Sequence, residues 1–438
     1  MQMVFGAGRM VEAKLPHLLA GVLLLGLADS MIGPYLVLFG ADRARLSPLQ
    51  VGAFLSVIAV SGLFVTSWLG RRYDRGAGRW PALVAVLAPA AGYLALSTTT
   101  SYALLLIIGV GLLGAGLAAF SQMFALARTH LDQASGNASS RGTLALRSAF
   151  SLAWAIGPIL GSAALAWRGY SALLLLTSLA FALITAPLLL LGDTPTTPRA
   201  AEQPQTPSRP PRQVLLVAAS FMLFNTAMCA GSVALPLYIT RTLARQDHDV
   251  GLLASTGALA EIPAALALIL LPARVPRQHV ILLGMLLFVG YFTLVPAVSS
   301  LPLLLTAQVA RGLAIAAVNA LGITYMQDLL PESPGQATAL FSNAFITASL
   351  ISGLVAGATA QTFGYRAALL LCALISATGC LLLITARQAP HLSRPRRNAR
   401  PTTNAKRGEG GAGGEASAGE QALARSIHDR RDEQGPTL

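Results

Sequence analysis

This sequence predicts an all-α membrane protein of twelve transmembrane helices in two six-helix bundles, and three observations carry that expectation. First, 54% of the 438 residues are apolar and 11% are charged, whereas a soluble chain carries about a quarter charged residues. Second, the apolar residues gather in blocks near 20 residues, about the helical length that crosses 30 Å of hydrocarbon. Third, the chain repeats itself. Gly157-Pro-Ile-Leu-Gly161 leads into Gly169-Tyr170, and Gly353-Leu-Val-Ala-Gly357 leads into Gly364-Tyr365. Two copies of one design mark two similar halves.

The first block, 15–39, carries Asp29 and Pro34. No small-residue cleavage site follows it and eleven further blocks do, so it is expected to stay as a helix and not leave as a signal peptide. Block 48–70 runs into the basic turn at Arg71. A short polar turn separates 81–99 from 102–127, and Trp167 to Tyr170 separates 143–166 from 171–191. The second half follows as 214–240, 250–271, 280–299, 301–327, 337–361 and 366–386, with Ser299-Ser300 joining the third and fourth of these. A β-barrel is excluded because its strands alternate apolar and polar residues. Outer connections this short leave any chemistry within the membrane.

The polar segments divide the chain. A short N-terminal tail, 1–14, precedes the first bundle at 15–192. The Pro-rich stretch 193–213 reads as a flexible cytoplasmic linker to the second bundle at 214–386. From 387 to 438 the composition turns to Arg, Gly, Glu and Ser, too polar to offset its ordering entropy, and disorder is expected. Arg394, Arg396, Arg397 and Arg400 there are either placed for anionic headgroups or merely solvated.

A net charge of +13 raises nucleic acid as a partner, and its distribution argues against it. Of 31 Lys and Arg, 23 fall in the tails and the connections on their side, six in the opposite connections, and Arg147 and Arg311 within blocks. That bias puts both termini in the cytoplasm. We therefore expect a multi-pass protein with the bilayer as its environment. Cys229, Cys372 and Cys380 all lie in apolar blocks, without metal spacing or a disulfide framework. No phosphate-cradling Gly-Lys-Ser/Thr loop, paired carboxylates or His-rich cluster is present. An enzyme, an ATP-driven pump and a resident cofactor or metal are not expected.

Two halves of membrane helices with a pathway between them suit a transporter, and three resemblances sharpen this. Gly70-Arg-Arg-Tyr-Asp74-Arg75-Gly-Ala-Gly78-Arg79 resembles the loop between helices two and three of the major facilitator superfamily, although Gly78 stands three residues after Arg75 where two is usual. The resemblance implies that Asp74 and Arg75 take part in a charge network that latches the halves at the cytoplasmic face. Ala153-Trp-Ala-Ile-Gly157-Pro158-Ile-Leu-Gly161-Ser162 resembles the Gly-Pro motif of proton antiporters of that superfamily, with Ala153 and Ser162 where Gly is commoner. Pro158 bends the helix while Gly157 and Gly161 permit close contact, a gate or simply a kink. Finally, Gln122 to Arg128, Arg147 to Pro158, Glu261-Ile-Pro263 and Gln327-Asp328-Leu-Leu-Pro331 are similar to the bacterial sugar efflux transporter family. That similarity spans about residues 20–386. It implies export of mono- or disaccharides and related glycosides in exchange for protons.

Charge within hydrocarbon costs at least about 2.5–3.5 kcal/mol, so Asp29, Glu261, Arg311 and Arg147 are candidates for coupling. Glu261 and Arg311 fall at nearly equal depths in their blocks, so they are expected to approach each other or share a polar cavity. Glu261 is then either a proton carrier or one half of a structural ion pair. Asp29 is either a coupling carboxylate or a helix-bending group near Pro34. Arg147 either snorkels to the cytoplasmic surface or acts inside the first half. Sugar hydroxyls need amides and an aromatic face, for which Gln122, Asn225, Tyr238, Gln308, Asn319 and Asn343 are the central candidates, each of which interhelical bonding explains equally. A multidrug–proton antiporter of the same superfamily is the second reading, and a membrane receptor or scaffold the third.

Overall fold

Continuously apolar segments satisfy their backbone in lipid only by coiling into helices. The computed structural model describes residues 2–76, 78–131, 137–192, 210–272 and 274–388; among them ten helices are long and apolar enough to cross a membrane, and no strand occurs. The first half contains α1 (Gln2–Leu38), α2 (Pro48–Asp74), α3 (Trp80–Thr98) and α4 (Tyr102–Leu131). Its last helical stretch breaks at Arg168 and Gly169 into arms labelled α5 (137–168) and α6 (170–191). The second half contains α7 (Arg212–Leu237), α8 (Asp247–Ile269), α9 (Arg277–Leu294), α10 (Leu301–Leu329) and a stretch that breaks at Gly364 into α11 (334–363) and α12 (365–388). Residues 193–209 of the expected linker and the expected tail from 389 lie outside the described residues. The expected N-terminal tail is helical from Gln2 and continuous with α1.

Both breaks sit at a glycine with positive φ, +69° at Gly169 and +84° at Gly364, a region that L side chains seldom enter. The chain reverses there. Along α1, Gly26 packs on Ala153 and Phe150, Ser30 on Gly157, and Met31 and Tyr35 on Gly161, after which the return arm brings Pro187 back beside Gly21. Along α7, Phe341 packs on Phe221 and the return arm places Gly379 at Ser220, whose hydroxyl donates to its carbonyl at 2.7 Å.

Local signals set the other ends. Ser47 and Gln50 exchange side-chain-to-backbone bonds at 3.3 and 2.9 Å, a capping box that starts α2 behind Pro48. Asp247 and Asp249 lie in the first turn of α8, where carboxylates complement the helix dipole. Just before each of these helices the chain makes a wider turn, Phe39–Arg43 and Tyr238–Thr242, closed by Ala44 N–H to Phe39 O at 3.0 Å and Leu243 N–H to Tyr238 O at 3.0 Å.

Aromatic pairs fill each half, with Tyr93 stacked on Phe181 at 5.7 Å in the first and Phe224 against Phe288 at 4.7 Å in the second. Large apolar side chains also cover the outside: Leu270, Phe363, Leu190 and Phe64 are all exposed. An apolar surface on this scale belongs against lipid, not water.

The halves meet at the end remote from Gln2 and Gln388, here termed the distal end. Gly52 of α2 lies against the backbone of Gly353 and Gly357 in α11. Leu354 N–H donates to Ser56 Oγ at 3.2 Å, and Leu49 N–H donates to Gln361 Oε1 at 3.1 Å. Gly251 of α8 packs on Tyr35, Pro158 and Ser162 of α1 and α5.

Candidate functional site

α8 and α10 cross where neither carries a side chain. Gly312 faces the carbonyl of Gly257, the Cβ of Ala260 and the backbone nitrogen of Glu261. This close approach sets Arg311, one residue before Gly312, level with the turn that carries Glu261. The two half-buried side chains share a polar region without touching: among the described residues no carboxylate lies within 4.0 Å of Arg311. The guanidinium donates to Ser232 Oγ of α7 at 3.3 Å. Gln308, one turn before Arg311, donates from Nε2 to Tyr291 Oη of α9 at 2.8 Å, while its Oε1 is buried and unbonded. A Cβ at Gly257 would stand 3.3 Å from Arg311 Nη1 and 3.4 Å from Gln308 Oε1, so a donor and an acceptor converge on that point.

The resulting cluster presents guanidinium N–H groups, an amide carbonyl and a carboxylate within one half of the molecule. Paired donors and acceptors complement hydroxyl groups, each of which both gives and accepts a hydrogen bond. A lipophilic cation gains nothing from Arg311. Sequence reading named Glu261, Arg311 and Gln308 but missed Ser232 and Tyr291. A Ser or Tyr in an apolar block costs little, so nothing singled them out.

In the first half, Asp29 is half-buried on α1 and bonds to no described residue. The next residue, Ser30, does the packing: its hydroxyl reaches the carbonyls of Gly26 and Ala153 at 2.6 and 3.0 Å, over Gly157. Tyr35 Oη donates to Pro158 O at 3.0 Å. Gly157 and Gly161 thus hold α5 against α1 within one half, and Pro158 stands beside Gly251 of the other. Arg147 is exposed near the start of α5.

At the terminal end, Gly70 lies in the last turns of α2 and Arg75 caps it, with Arg75 N–H bonded to Arg72 O at 3.2 Å. Asp74, Arg75 and Arg128 are exposed, and no hydrogen bond or ion pair to a described residue involves Asp74. The structure spreads the remaining candidates. Gln122 and Asn225 are buried with an unbonded carbonyl oxygen each, and Asn225 Nδ2 donates to Phe221 O at 2.8 Å. Tyr238 is wholly buried at the distal end, where its hydroxyl donates to Pro296 O at 3.2 Å. Asn319 and Asn343 are exposed. None of these five touches the Arg311 cluster through a hydrogen bond. Among the described residues no group of His, Cys, Asp and Glu is placed to hold a metal.

The profile of the Major Facilitator Superfamily matches residues 215–426. A Deinococcus radiodurans protein provisionally named a sugar efflux transporter is 40% identical over 392 residues, 86% of this chain and all of that one. The chain belongs to the major facilitator superfamily, in its sugar efflux transporter family. Sugar efflux transporter A of Escherichia coli K12 is 28% identical over 373 residues, 83% of this chain and 93% of that one. Its counterpart in Dickeya chrysanthemi is 29% identical over 362 residues, 81% and 92%. Among solved structures, a variant of the nucleoside transporter NupG aligns at a TM-score of 0.74 and 14% identity, over 84% of this chain and 99% of that one. A bacterial homolog of the human lysosomal transporter Spinster, inward-facing and occupied, aligns at 0.67 and 13%, over 85% and 96%. At such identities the likeness is one of fold. A transporter of this superfamily is not an enzyme.

Proposed function

We propose that this chain exports sugars or related glycosides across the bacterial cytoplasmic membrane in exchange for protons, by alternating access of a pathway between its halves. The relatives are named for sugar efflux, and the Arg311 cluster carries the reading within this chain. It combines donors and an acceptor for hydroxyls with a carboxylate, Glu261, that no described residue neutralises by direct contact. Reading each of the two reversing stretches as two crossings makes twelve, and the Lys and Arg bias favours both termini in the cytoplasm. The distal end is then the outer face, and its glycine contacts fit a conformation closed to the outside.

In this reading an ionised Glu261 accepts from a sugar hydroxyl while Arg311 and Gln308 bind neighbouring oxygens. A protonated Glu261 gives up acceptor capacity, so proton and sugar compete for the site. Asp74, Arg75 and Arg128 with Gly70 are assigned to the inner gate, and Pro158, on the helix that Gly157 and Gly161 hold against α1, to the outer one. The chain works as a monomer, without cofactor or metal.

The test uses purified protein in vesicles preloaded with labelled lactose or glucose, with and without a pH gradient. Sugar movement that the gradient accelerates is expected, and Glu261→Gln should abolish the acceleration. Gradient-driven export that Glu261→Gln leaves unchanged would remove Glu261 as the carrier. Asp29, half-buried and unbonded on α1, favours the second reading, a multidrug–proton antiporter. Movement of a lipophilic cation without sugar in the same vesicles would establish that reading instead.

A further inference from the structure

The distal end holds a charge pair that no sequence motif announced. Arg241 donates from Nη2 to Asp42 Oδ1, and Tyr170 Oη donates to Asp42 Oδ2 at 2.7 Å. Both carboxylate oxygens are therefore engaged, one from each half of the molecule. Asp42 and Arg241 are also the same residue of the repeat. Each is the fourth residue of its wide turn, Phe39–Arg43 or Tyr238–Thr242. Three residues on, Arg45 and Ala244 have positive φ of 53° and 51°. Leu46 N–H bonds to Gly40 O at 2.9 Å, and Arg245 N–H bonds to Ile239 O at 3.1 Å, closing both turns alike. Ten residues beyond the pair, Gly52 and Gly251 pack closely on the opposite half.

The Gly-Tyr turns belong to the same arrangement. Gly169 and Gly364 reverse the chain at the distal end, and each delivers the following tyrosine toward the pair. Tyr170 bonds to Asp42, and Tyr365 lies within the electrostatic reach of Arg241 and Asp42. Two equivalent turns thus carry opposite charges across the seam, and an identical pair of residues there would repel. We propose that Asp42, Arg241 and Tyr170 form a latch that holds the outer face closed, and that its breaking accompanies opening to the outside. The side chain of Arg241 is 50% exposed and that of Asp42 27%, so the pair is a weak one. Weakness suits a gate, because both states must be populated in every cycle. Loss of the pair is expected to shift their ratio by about two- to fivefold.

The test places Ser56→Cys at the seam, where Ser56 is 4% exposed and bonded to Leu354. A membrane-impermeant maleimide is applied to intact cells and to inverted vesicles, and labelling of the same chain without Ser56→Cys is subtracted. Asp42→Asn and Arg241→Gln should each raise labelling from one side only, by about two- to fivefold. The exchanged pair, Asp42→Arg with Arg241→Asp, should return it toward the parent rate, and Tyr170→Phe should raise it less than Asp42→Asn. Parent-rate labelling in both single variants, or an exchanged pair that labels as fast as the singles, would overturn the latch. Recovery in the exchanged pair separates a broken latch from a misfolded chain. No sugar is present in the assay, so its failure leaves the export reading standing, and failure of sugar export leaves the latch standing.

Discussion

Packing alone does not explain the chemistry of Gln308. Its Nε2 bonds to Tyr291 while its Oε1 is buried and unbonded, in a position where leucine would fill similar space. A buried polar atom without a partner costs roughly 1–3 kcal/mol, against about 0.5–1.5 kcal/mol gained from an ordinary hydrogen bond. Gln308→Leu removes both, so unfolding stability in detergent should change by less than about 1 kcal/mol. Export from sugar-loaded vesicles should nevertheless fall by about tenfold, the effect of about 1.4 kcal/mol of lost binding. A large loss of stability with normal export per folded molecule would make Gln308 structural. Charged residues in apolar blocks are legible in sequence because their cost is high, which is how Glu261 and Arg311 came forward. Asp42 and Arg241 sit in short polar connections, where a charge costs nothing and its partner 199 positions away leaves no mark.

At the scale of helices, the two copies of the glycine motif have parted in use. Gly157 and Gly161 of α5 pack on Ser30, Met31 and Tyr35 within their own half, whereas Gly353 and Gly357 of α11 pack on Pro48, Gly52 and Ser56 across the seam. A side chain at Gly157 therefore strains the fold, and one at Gly353 strains one state of the cycle. Gly157→Val should lower unfolding stability by about 1–3 kcal/mol, the usual cost of overpacking. Gly353→Val should leave stability within about 1 kcal/mol, because the halves can part there, and should raise outside labelling of Ser56→Cys. Equal destabilisation of both variants would refute the division. The helices themselves were legible because length and apolarity fix them, except at the start of α1, which runs back to Gln2 through the expected tail. Their mutual contacts were not: the sugar candidates read alike in sequence, yet Asn319 and Asn343 are exposed while Tyr238 is wholly buried. Depth along a helix follows from counting, but the face that a residue presents depends on helix rotation, which an all-round apolar block does not record.

For the whole molecule, two halves joined by a pseudo-symmetric seam imply motion with opposite signs at the two ends. The outer seam rests on glycine contacts and a half-exposed ion pair, a closure that parts without unfolding either half. Each half has aromatic pairs of its own, Tyr93 on Phe181 in one and Phe224 on Phe288 in the other, which rigid-body rocking leaves intact. Spin labels at Arg43→Cys and Gln246→Cys report the distal end, and labels at Arg75→Cys and Glu332→Cys report the terminal end; all four positions are exposed. Raising sugar and changing pH should move the two distance distributions in opposite directions. Asp42→Asn should lengthen the distal distances and shorten the terminal ones without sugar, since the same equilibrium is displaced. Distances that move together would signify a breathing channel, and a distal pair that never changes would confine the protein to a single state, in which alternating access fails.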